Sequence, residues 1–219
     1  MSPRPALRAL PAVLVALAGC VQRTVPLRPP AIPTPAHVAV LPFRVEAAAG
    51  DHPDLAPVPD DTGASAACTL AARLAAEGVA VIDADATLQA ASATGGRSSD
   101  AELARAVADK VGANVTVLGT IRRYVEREGS GLGVTVPASV AYEIVVLRAA
   151  DGVVLGSDRF AYTQAPLNEN LLDLPRFLEG GGRWRTRAEI LDGALRQSAH
   201  RLAAWLVGPK PRTGGPSGG

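Results

Sequence analysis

The residues of this chain that most often take part in catalysis are few and lie far apart. Lys110 and Lys210 are its only lysines, and neither stands in the glycine-rich pattern that cradles a nucleotide phosphate. His37, His52 and His200 are too widely separated to form a zinc signature. No Gly-x-Ser-x-Gly turn connects a predicted strand to a predicted helix. We therefore predict that the protein is not an enzyme and that it holds no metal and no diffusible cofactor.

Cys20 is the one residue whose setting predicts a covalent modification. It follows an apolar stretch from Ala9 to Ala18 that two arginines, Arg4 and Arg8, precede. The stretch is shorter than the ~20 residues that a membrane-spanning helix needs, and this arrangement of charge and apolar residues is typical of a secretory signal.

The residues directly before Cys20 are Leu17, Ala18 and Gly19. This motif resembles the lipobox of bacterial lipoproteins, in which small residues fit the signal peptidase and the cysteine thiol is acylated before cleavage. The resemblance implies that residues 1–19 are removed and that Cys20 carries a covalent acyl lipid. The alternative is a chance cysteine behind an ordinary signal peptide.

The residue after the cysteine bears on location. It is Val21 rather than aspartate, and the resemblance to Gram-negative lipoproteins then implies sorting to the outer membrane. Acyl chains anchor a protein without a transmembrane helix, because each buried CH₂ contributes about 0.8 kcal/mol. We therefore expect a domain on the periplasmic face of the outer membrane, with the membrane itself as one partner.

A second candidate site is a partner-binding segment between residues 165 and 185. Interface hot spots favour the mixture of large apolar side chains and arginines that is concentrated there. The alternative is that these apolar groups only cover one edge of the sheet. The candidate residues are Leu171, Leu172, Leu174, Phe177 and Trp184, together with Arg176, Arg183, Arg185 and Arg187.

Composition and charge exclude a further class of partner. The chain is 47% hydrophobic and 20% charged, which is typical of a globular protein. Its 22 Lys and Arg residues are balanced by 21 Asp and Glu residues, with no block of like charge. A protein that neutralises many phosphates needs a basic footprint. We therefore predict no nucleic-acid partner.

Hydrophobic periodicity predicts a single α/β domain with the element order β-α-β-α-α-β-β-β-α. Capping signals at Asp83 or Asp85, at Ser99 and at Thr186 mark helix starts. The last three strands have short connections, so they must be antiparallel neighbours. The fold class is an α/β sandwich with a mixed sheet. The predicted strands are 37–43, 79–82, 114–124, 139–147 and 153–162, and the predicted helices are 64–78, 83–88, 99–112 and 186–207.

The sequence divides into four parts. Residues 1–19 form the signal peptide, and residues 20–36 form the lipidated cysteine and a tether. Five prolines in the tether favour an extended conformation that reaches on the order of 50 Å at ~3.1 Å per residue. Residues 37–207 form the α/β domain, and residues 208–219 are a Gly/Pro/Ser-rich tail that we predict to be disordered.

Three segments of the domain carry a resemblance to a known family. They read VAVLPF at 38–43, GVAVID at 78–83 and VGANVTVLGT at 111–120. They resemble the CsgG/LpoB-type periplasmic lipoproteins, whose fold is related to the N-terminal domain of TolB. The resemblance covers roughly residues 37–162 and the final helix, and its motifs concern the fold more than the role. It implies a non-catalytic protein.

Two functions from different classes agree with this sequence. The first is a tethered scaffold or regulator that binds another cell-envelope protein. The second is an oligomeric secretion or transport component of the curli-channel type, which would make a homo-oligomer the partner. The hairpin from Val115 to Leu147 is the segment that such a channel would insert, and the charges on its first strand argue against insertion. The identity of the partner is not encoded in any motif.

Overall fold

The computed structural model describes residues 31–46, 57–95, 99–130, 133–164 and 184–207. The predicted α/β class is confirmed. In chain order the elements are β1 (His37–Val40), β2 (Arg44–Val45), α1 (Thr62–Ala76), β3 (Ala80–Val81), α2 (Ala84–Ser92), α3 (Asp100–Val111), β4 (Val115–Val125), β5 (Glu128–Ser130), β6 (Gly133–Val136), β7 (Ser139–Arg148), β8 (Val154–Thr163) and α4 (Arg187–Leu206).

The main sheet is mixed, as the element order predicts. Its strands follow the order β3-β1-β4-β7-β8, and the short β2 also pairs with β4. β1 lies parallel to β3 and β4, because helices connect these strands. β7 lies antiparallel to β4 and β8, as the short connections require. β5 and β6 form a separate two-stranded ribbon at the predicted hairpin turn.

One face of the sheet packs against α1 and α4. Alternate residues of the strands point to this face, because successive side chains in a strand point to opposite sides. Leu70 and Leu74 of α1 and Leu195 of α4 are fully or almost fully buried against them. The strand residues in this core include Val38, Val40, Val115, Val117, Ile121, Val140, Ile144 and Val146.

The opposite face has less cover. α2 and α3 pack over Ala39 and Leu41 of the β1 segment, with Val107 of α3 completely buried between them. The remaining part of this face, on β4, β7 and β8, carries polar and charged side chains such as Arg122 and Glu143. β4 therefore has one face in the core and one face that is more polar.

The helices begin at the predicted caps. The Asp83 side chain accepts a hydrogen bond from the Ala86 amide at 2.9 Å, and the Ser99 side chain accepts one from Glu102 at 3.2 Å. Thr186 and Glu189 form a reciprocal capping box at the start of α4. The α2 helix continues to Ser92, four residues past its predicted end. The sequence pattern did not predict β2, which continues the sheet beyond Pro42.

Candidate functional site

The start of α4 and the end of β8 lie side by side and frame the predicted partner-binding segment. The Arg185 amide donates a hydrogen bond of 3.0 Å to Oε1 of Gln164, which is 3% exposed. The backbone amide of Gln164 in turn donates a hydrogen bond of 3.0 Å to the Ala138 carbonyl. Residues 164 and 185, which flank the predicted segment, are therefore held next to each other.

Only part of the predicted segment can be described. Trp184 and Arg185 are half-buried, and Arg185 Nη2 also lies 3.4 Å from the Glu189 carbonyl oxygen. Their place beside the start of α4 is compatible with partner binding and with a covering role. Leu171, Leu172, Leu174, Arg176, Phe177 and Arg183 lie outside the described residues, as do Cys20 and the Leu17-Ala18-Gly19 motif.

Arg187, the first residue of α4, is a structural residue rather than a free surface arginine. It is 8% exposed, and its guanidinium lies 4.7 Å from the centroid of the Tyr124 ring. It donates hydrogen bonds to the Pro57 carbonyl at 2.8 Å and the Tyr124 carbonyl at 3.3 Å. Arg187 therefore ties α4 to the end of β4 and to the chain that precedes α1.

A cleft of about 270 Å³ opens next to this arginine, between the first turns of α1 and α4. Leu191 and Leu195 form part of its apolar wall, whereas Asp61, Asp192 and the Tyr124 ring contribute polar groups. Burial raises the pKa of the Tyr124 phenol, and the neighbouring Arg187 opposes that shift. The phenol thus stays neutral at physiological pH, and the cleft combines apolar walls with hydrogen-bonding groups.

At the opposite end of the sheet, Asn114 holds the chain where it joins the domain. Its Oδ1 accepts a hydrogen bond from the His37 amide, and its Nδ2 donates one to the Pro35 carbonyl, both at 2.8 Å. Arg148 Nη1 lies 3.4 Å from the carbonyl oxygen of Ala31. Residues 31–36 therefore lie on the domain, and Ile32 packs against the main core.

The two ends of the domain carry different features. We call the end that contains His37, Asn114 and Arg148 the proximal end, because the chain arrives there from its N-terminus. We call the end that contains Trp184, Arg187 and the cleft the distal end. The 11 residues of β4 and the 20 residues of α4 both run between the two ends, a separation of roughly 30 Å.

The part of the chain that the structure describes contains no group of three or more His, Cys, Asp or Glu side chains placed to hold a metal ion. None of its helices has both the length and the apolar character needed to cross a membrane.

Comparisons with known proteins leave the family open. No family model matches the chain, and no curated protein matches it in sequence. Solved structures do resemble it. Lipoprotein GNA1162 of Neisseria meningitidis has 19% identity and a TM-score of 0.43, and the match covers 67% of this chain and 93% of that one. LpoB of Escherichia coli has 16% identity and a TM-score of 0.43, with coverage of 74% and 86%.

A third similar structure is a PelC dodecamer from Paraburkholderia phytofirmans, with 18% identity, a TM-score of 0.39 and coverage of 65% and 84%. All three identities and TM-scores are too low to carry an argument about function. The predicted resemblance to LpoB has a counterpart among these structures. The resemblance to the curli secretion channel stays a prediction.

Sequence reasoning missed two residues that organise the two ends. Asn114 stands in the VGANVTVLGT segment, but nothing in that motif indicates that its side chain binds residues 35 and 37. Arg187 was grouped with the candidate docking arginines, and its burial depends on Pro57, which is 130 positions away in sequence. The capping box at Thr186 was the available signal, since it fixes where α4 begins and hence which way Arg187 points.

Proposed function

We propose that this protein is an outer-membrane-anchored periplasmic lipoprotein whose domain acts as a non-catalytic scaffold or regulator of another cell-envelope protein. The anchor is the acylated Cys20, and the docking region is the distal end around Trp184, Arg185 and the cleft. The proposal rests on one observation, which is that the N-terminal chain meets the domain at one end and the candidate docking residues lie at the opposite end.

The tether supports this arrangement by its length. Residues 31–36 lie on the domain, so the part of the predicted tether between Cys20 and the domain is residues 21–30. At ~3.1 Å per residue they reach about 30 Å in an extended conformation. The domain adds roughly 30 Å between its proximal and distal ends. A partner that binds the distal end would then be met up to about 60 Å from the membrane.

The chemistry of the distal end fits a protein partner better than a small substrate. Trp184 is a half-buried aromatic residue, and the next residue, Arg185, adds a guanidinium that lies against α4. Interface hot spots favour tryptophan and arginine. The cleft adds an apolar pocket whose rim carries Asp61 and Asp192. Asp192 is already paired with Arg73 at 3.2 Å and Arg196 at 3.1 Å, so it contributes shape more than free charge.

Site-specific photo-crosslinking in intact cells tests the proposal. A photoreactive residue is placed at Trp184 and, in a second strain, at Asp61 on the rim of the cleft. The control carries it at Ser157, an exposed position near the middle of β8 and away from the distal end. We expect a discrete adduct with one other envelope protein from both distal positions and none from the control.

The other outcomes discriminate against the proposal. A ladder of self-adducts from the distal positions would instead favour the oligomeric secretion component. The same adducts from Ser157 as from Trp184 would mean that contact is not specific to the distal end. Absence of any adduct at Trp184 and Asp61 would contradict distal docking and leave Trp184 as a covering residue.

A further inference from the structure

The proximal end exposes a small apolar patch. Three large hydrophobic side chains among the described residues are exposed, namely Val153 at 38%, Val154 at 54% and Val207 at 56%. Val153 and Val154 begin β8, and Val207 directly follows α4. Trp205 lies at the same end and is half-buried against the main core, and a Cβ on Gly156 would lie 2.8 Å from its ring. This contact places the end of α4 over the start of β8. Val154 pairs with Leu147 and Gly156 with Val146, so the Val154 side chain points to the other face of the sheet, and the patch borders the end of this edge strand on both faces.

The chain from the N-terminus arrives beside this patch. Arg148, whose Nη1 approaches the Ala31 carbonyl oxygen, also binds Asp151 of the β7–β8 turn at 2.8 Å. The Val153 amide donates to the same aspartate at 3.2 Å. Ala31, the patch and the turn therefore belong to one small region. Only residues 21–30 separate it from Cys20, about 30 Å of extended chain.

We propose that this patch, made of Val153, Val154, Trp205 and Val207, rests on the lipid surface of the membrane that holds the acyl anchor. The inference depends on the proposed anchoring at Cys20. Tryptophan prefers the boundary between headgroups and acyl chains, where one side of the ring is apolar and the other is wet. The acyl chains supply the anchor, and apolar side chains beside it would add buried apolar area at the level of the headgroups.

The size and charge of the patch favour lipid over a protein partner. A specific protein interface buries roughly 800 Å² on each side, far more than three valines and one tryptophan offer. Partial insertion into the headgroup region needs no such area. Asp151, the carboxylate beside the patch, is paired with Arg148, so it presents little net negative charge to anionic lipids. Seating this end on the membrane also points the distal end into the periplasm, at roughly 30 Å from the membrane instead of the maximum reach of about 60 Å that an extended tether allows.

The two tryptophans provide the test. Trp184 and Trp205 lie at opposite ends of α4, roughly 30 Å apart. Trp184→Phe leaves Trp205 as the only tryptophan, and Trp205→Phe leaves Trp184. Each full-length acylated variant is incorporated into phosphatidylethanolamine and phosphatidylglycerol vesicles whose acyl chains carry bromine, which quenches nearby indoles. Sedimentation with the vesicles reports the anchor separately from the quenching.

We expect loss of most of the Trp205 emission and little loss of the Trp184 emission. Introducing Val154→Asp together with Val207→Asp should abolish the Trp205 quenching while the protein still sediments. Ala161→Asp, a charge at an exposed position of the same strand, should leave the quenching unchanged.

Two results would overturn the inference alone. They are sedimentation without Trp205 quenching, and equal quenching of both tryptophans. Failure of the wild-type chain to become acylated and to sediment would overturn the anchoring itself, and the inference with it.

Discussion

The ring of Phe43 lies directly against the backbone of Gly119. A Cβ at position 119 would stand 2.3 Å from Cγ and Cδ2 of the ring, closer than two non-bonded carbon atoms can approach without a shift. The backbone amide of Phe43 also donates to the Gly63 carbonyl at 3.0 Å, which ties the same residue to the start of α1. Phe43, which is 4% exposed, therefore contacts β4 through its ring and α1 through its backbone.

Gly119→Ala should destabilise the domain. The added methyl group has to displace a buried ring, and overpacking of this kind costs about 1–3 kcal/mol. Urea unfolding followed by circular dichroism measures the change in the free energy of unfolding. Gly95→Ala is the matched control, because its Cβ would meet only the Ser92 carbonyl oxygen at an ordinary 3.6 Å. Equal stability of the two variants would contradict the packing argument.

The Phe43–Gly119 contact illustrates which parts of the fold can be predicted from the sequence and which cannot. Both residues stand in the segments that carry the family resemblance, and local apolar patterns predict the strands that hold them. Their contact depends on the parallel register of β1 with β4, in which Val38 lies beside Val115. Local periodicity contains no information about such a long-range register. The strands were therefore predictable, but the packing between them was not.

The same limit applies to the candidate site. Composition alone singled out Trp184 and Arg185, because aromatic residues and arginines favour interfaces. The burial of Arg187 and the two bonds of Asn114 arise from contacts across 130 and 79 positions, which no local pattern reports. The sequence pattern predicts a strand that begins at Val153 and Val154, but it does not predict that both are exposed, because the tertiary fold determines which valines are buried.

A second prediction concerns the buried hydrogen bond between Tyr142 and Ser198, whose hydroxyl oxygens lie 2.7 Å apart. Tyr142→Phe should lower the free energy of unfolding by about 1 kcal/mol, because a buried hydrogen bond contributes that much on average. A cycle with Ser198→Ala and the double variant isolates the pair. Additive effects of the two substitutions would contradict the coupling.

The same tyrosine predicts the behaviour of the protein in alkali. Burial raises the pKa of Tyr142 from 10.0 to about 12. A group whose pKa is higher in the folded state contributes stability that is complete below the unfolded-state pKa. That contribution is lost as the pH rises from about 10 to about 12. Unfolding measurements across this window should show the loss in the wild-type chain and a smaller one in Tyr142→Phe.

A third prediction concerns the charges on the uncovered sheet face. They form a chain in which acidic and basic side chains alternate. Glu143 contacts two bases of this chain and lies 2.7 Å from Arg159 and 3.2 Å from Arg122. The complete chain is Asp100, Arg44, Glu46, Arg122, Glu143 and Arg159.

Glu143→Gln should weaken the domain in a pH-dependent way. Hydrogen bonds from Arg159 and Arg122 lower the pKa of Glu143, so its stabilising effect is present above the ordinary glutamate pKa of 4.5. The effect is lost as the pH falls through the lower pKa of the folded state. Because the arginines are largely exposed, we expect a difference below about 1 kcal/mol at neutral pH.

Unfolding of both proteins by urea at neutral and acid pH measures this difference, which should shrink in acid. Asp109→Asn is the matched control, since Asp109 is exposed and forms no ion pair with any described residue. A difference that grows in acid would contradict the sign of the pKa shift.

A fourth prediction concerns the anchor. Cys20→Ser should abolish acylation and release the protein from the membrane fraction, because serine lacks the thiol that accepts the lipid. Metabolic labelling with a fatty-acid analogue and fractionation of the envelope measure both effects. Cys68→Ser is the matched control, since it removes the other cysteine and should leave labelling intact. Unchanged membrane retention of Cys20→Ser would contradict acyl anchoring.

A fifth prediction concerns the junction between tether and domain. Asn114→Ala removes both side-chain hydrogen bonds that hold residues 35 and 37, whereas Asn114→Asp keeps the oxygen that accepts from the His37 amide. The alanine variant should lose about 1 kcal/mol of stability, and the aspartate variant should lose less. Hydrogen exchange at the His37 amide should accelerate in the alanine variant only.

Freed residues 31–36 would lengthen the spacer from Cys20 by about 18 Å of extended chain. The alanine variant should then be cleaved faster by a protease upstream of His37, and the aspartate variant should show an intermediate rate because it retains one of the two bonds. Equal cleavage and equal exchange in all three proteins would mean that Asn114 does not hold the junction. The fixed geometry of the proximal end would then need another cause, for which the contact of Arg148 with Ala31 is the next candidate.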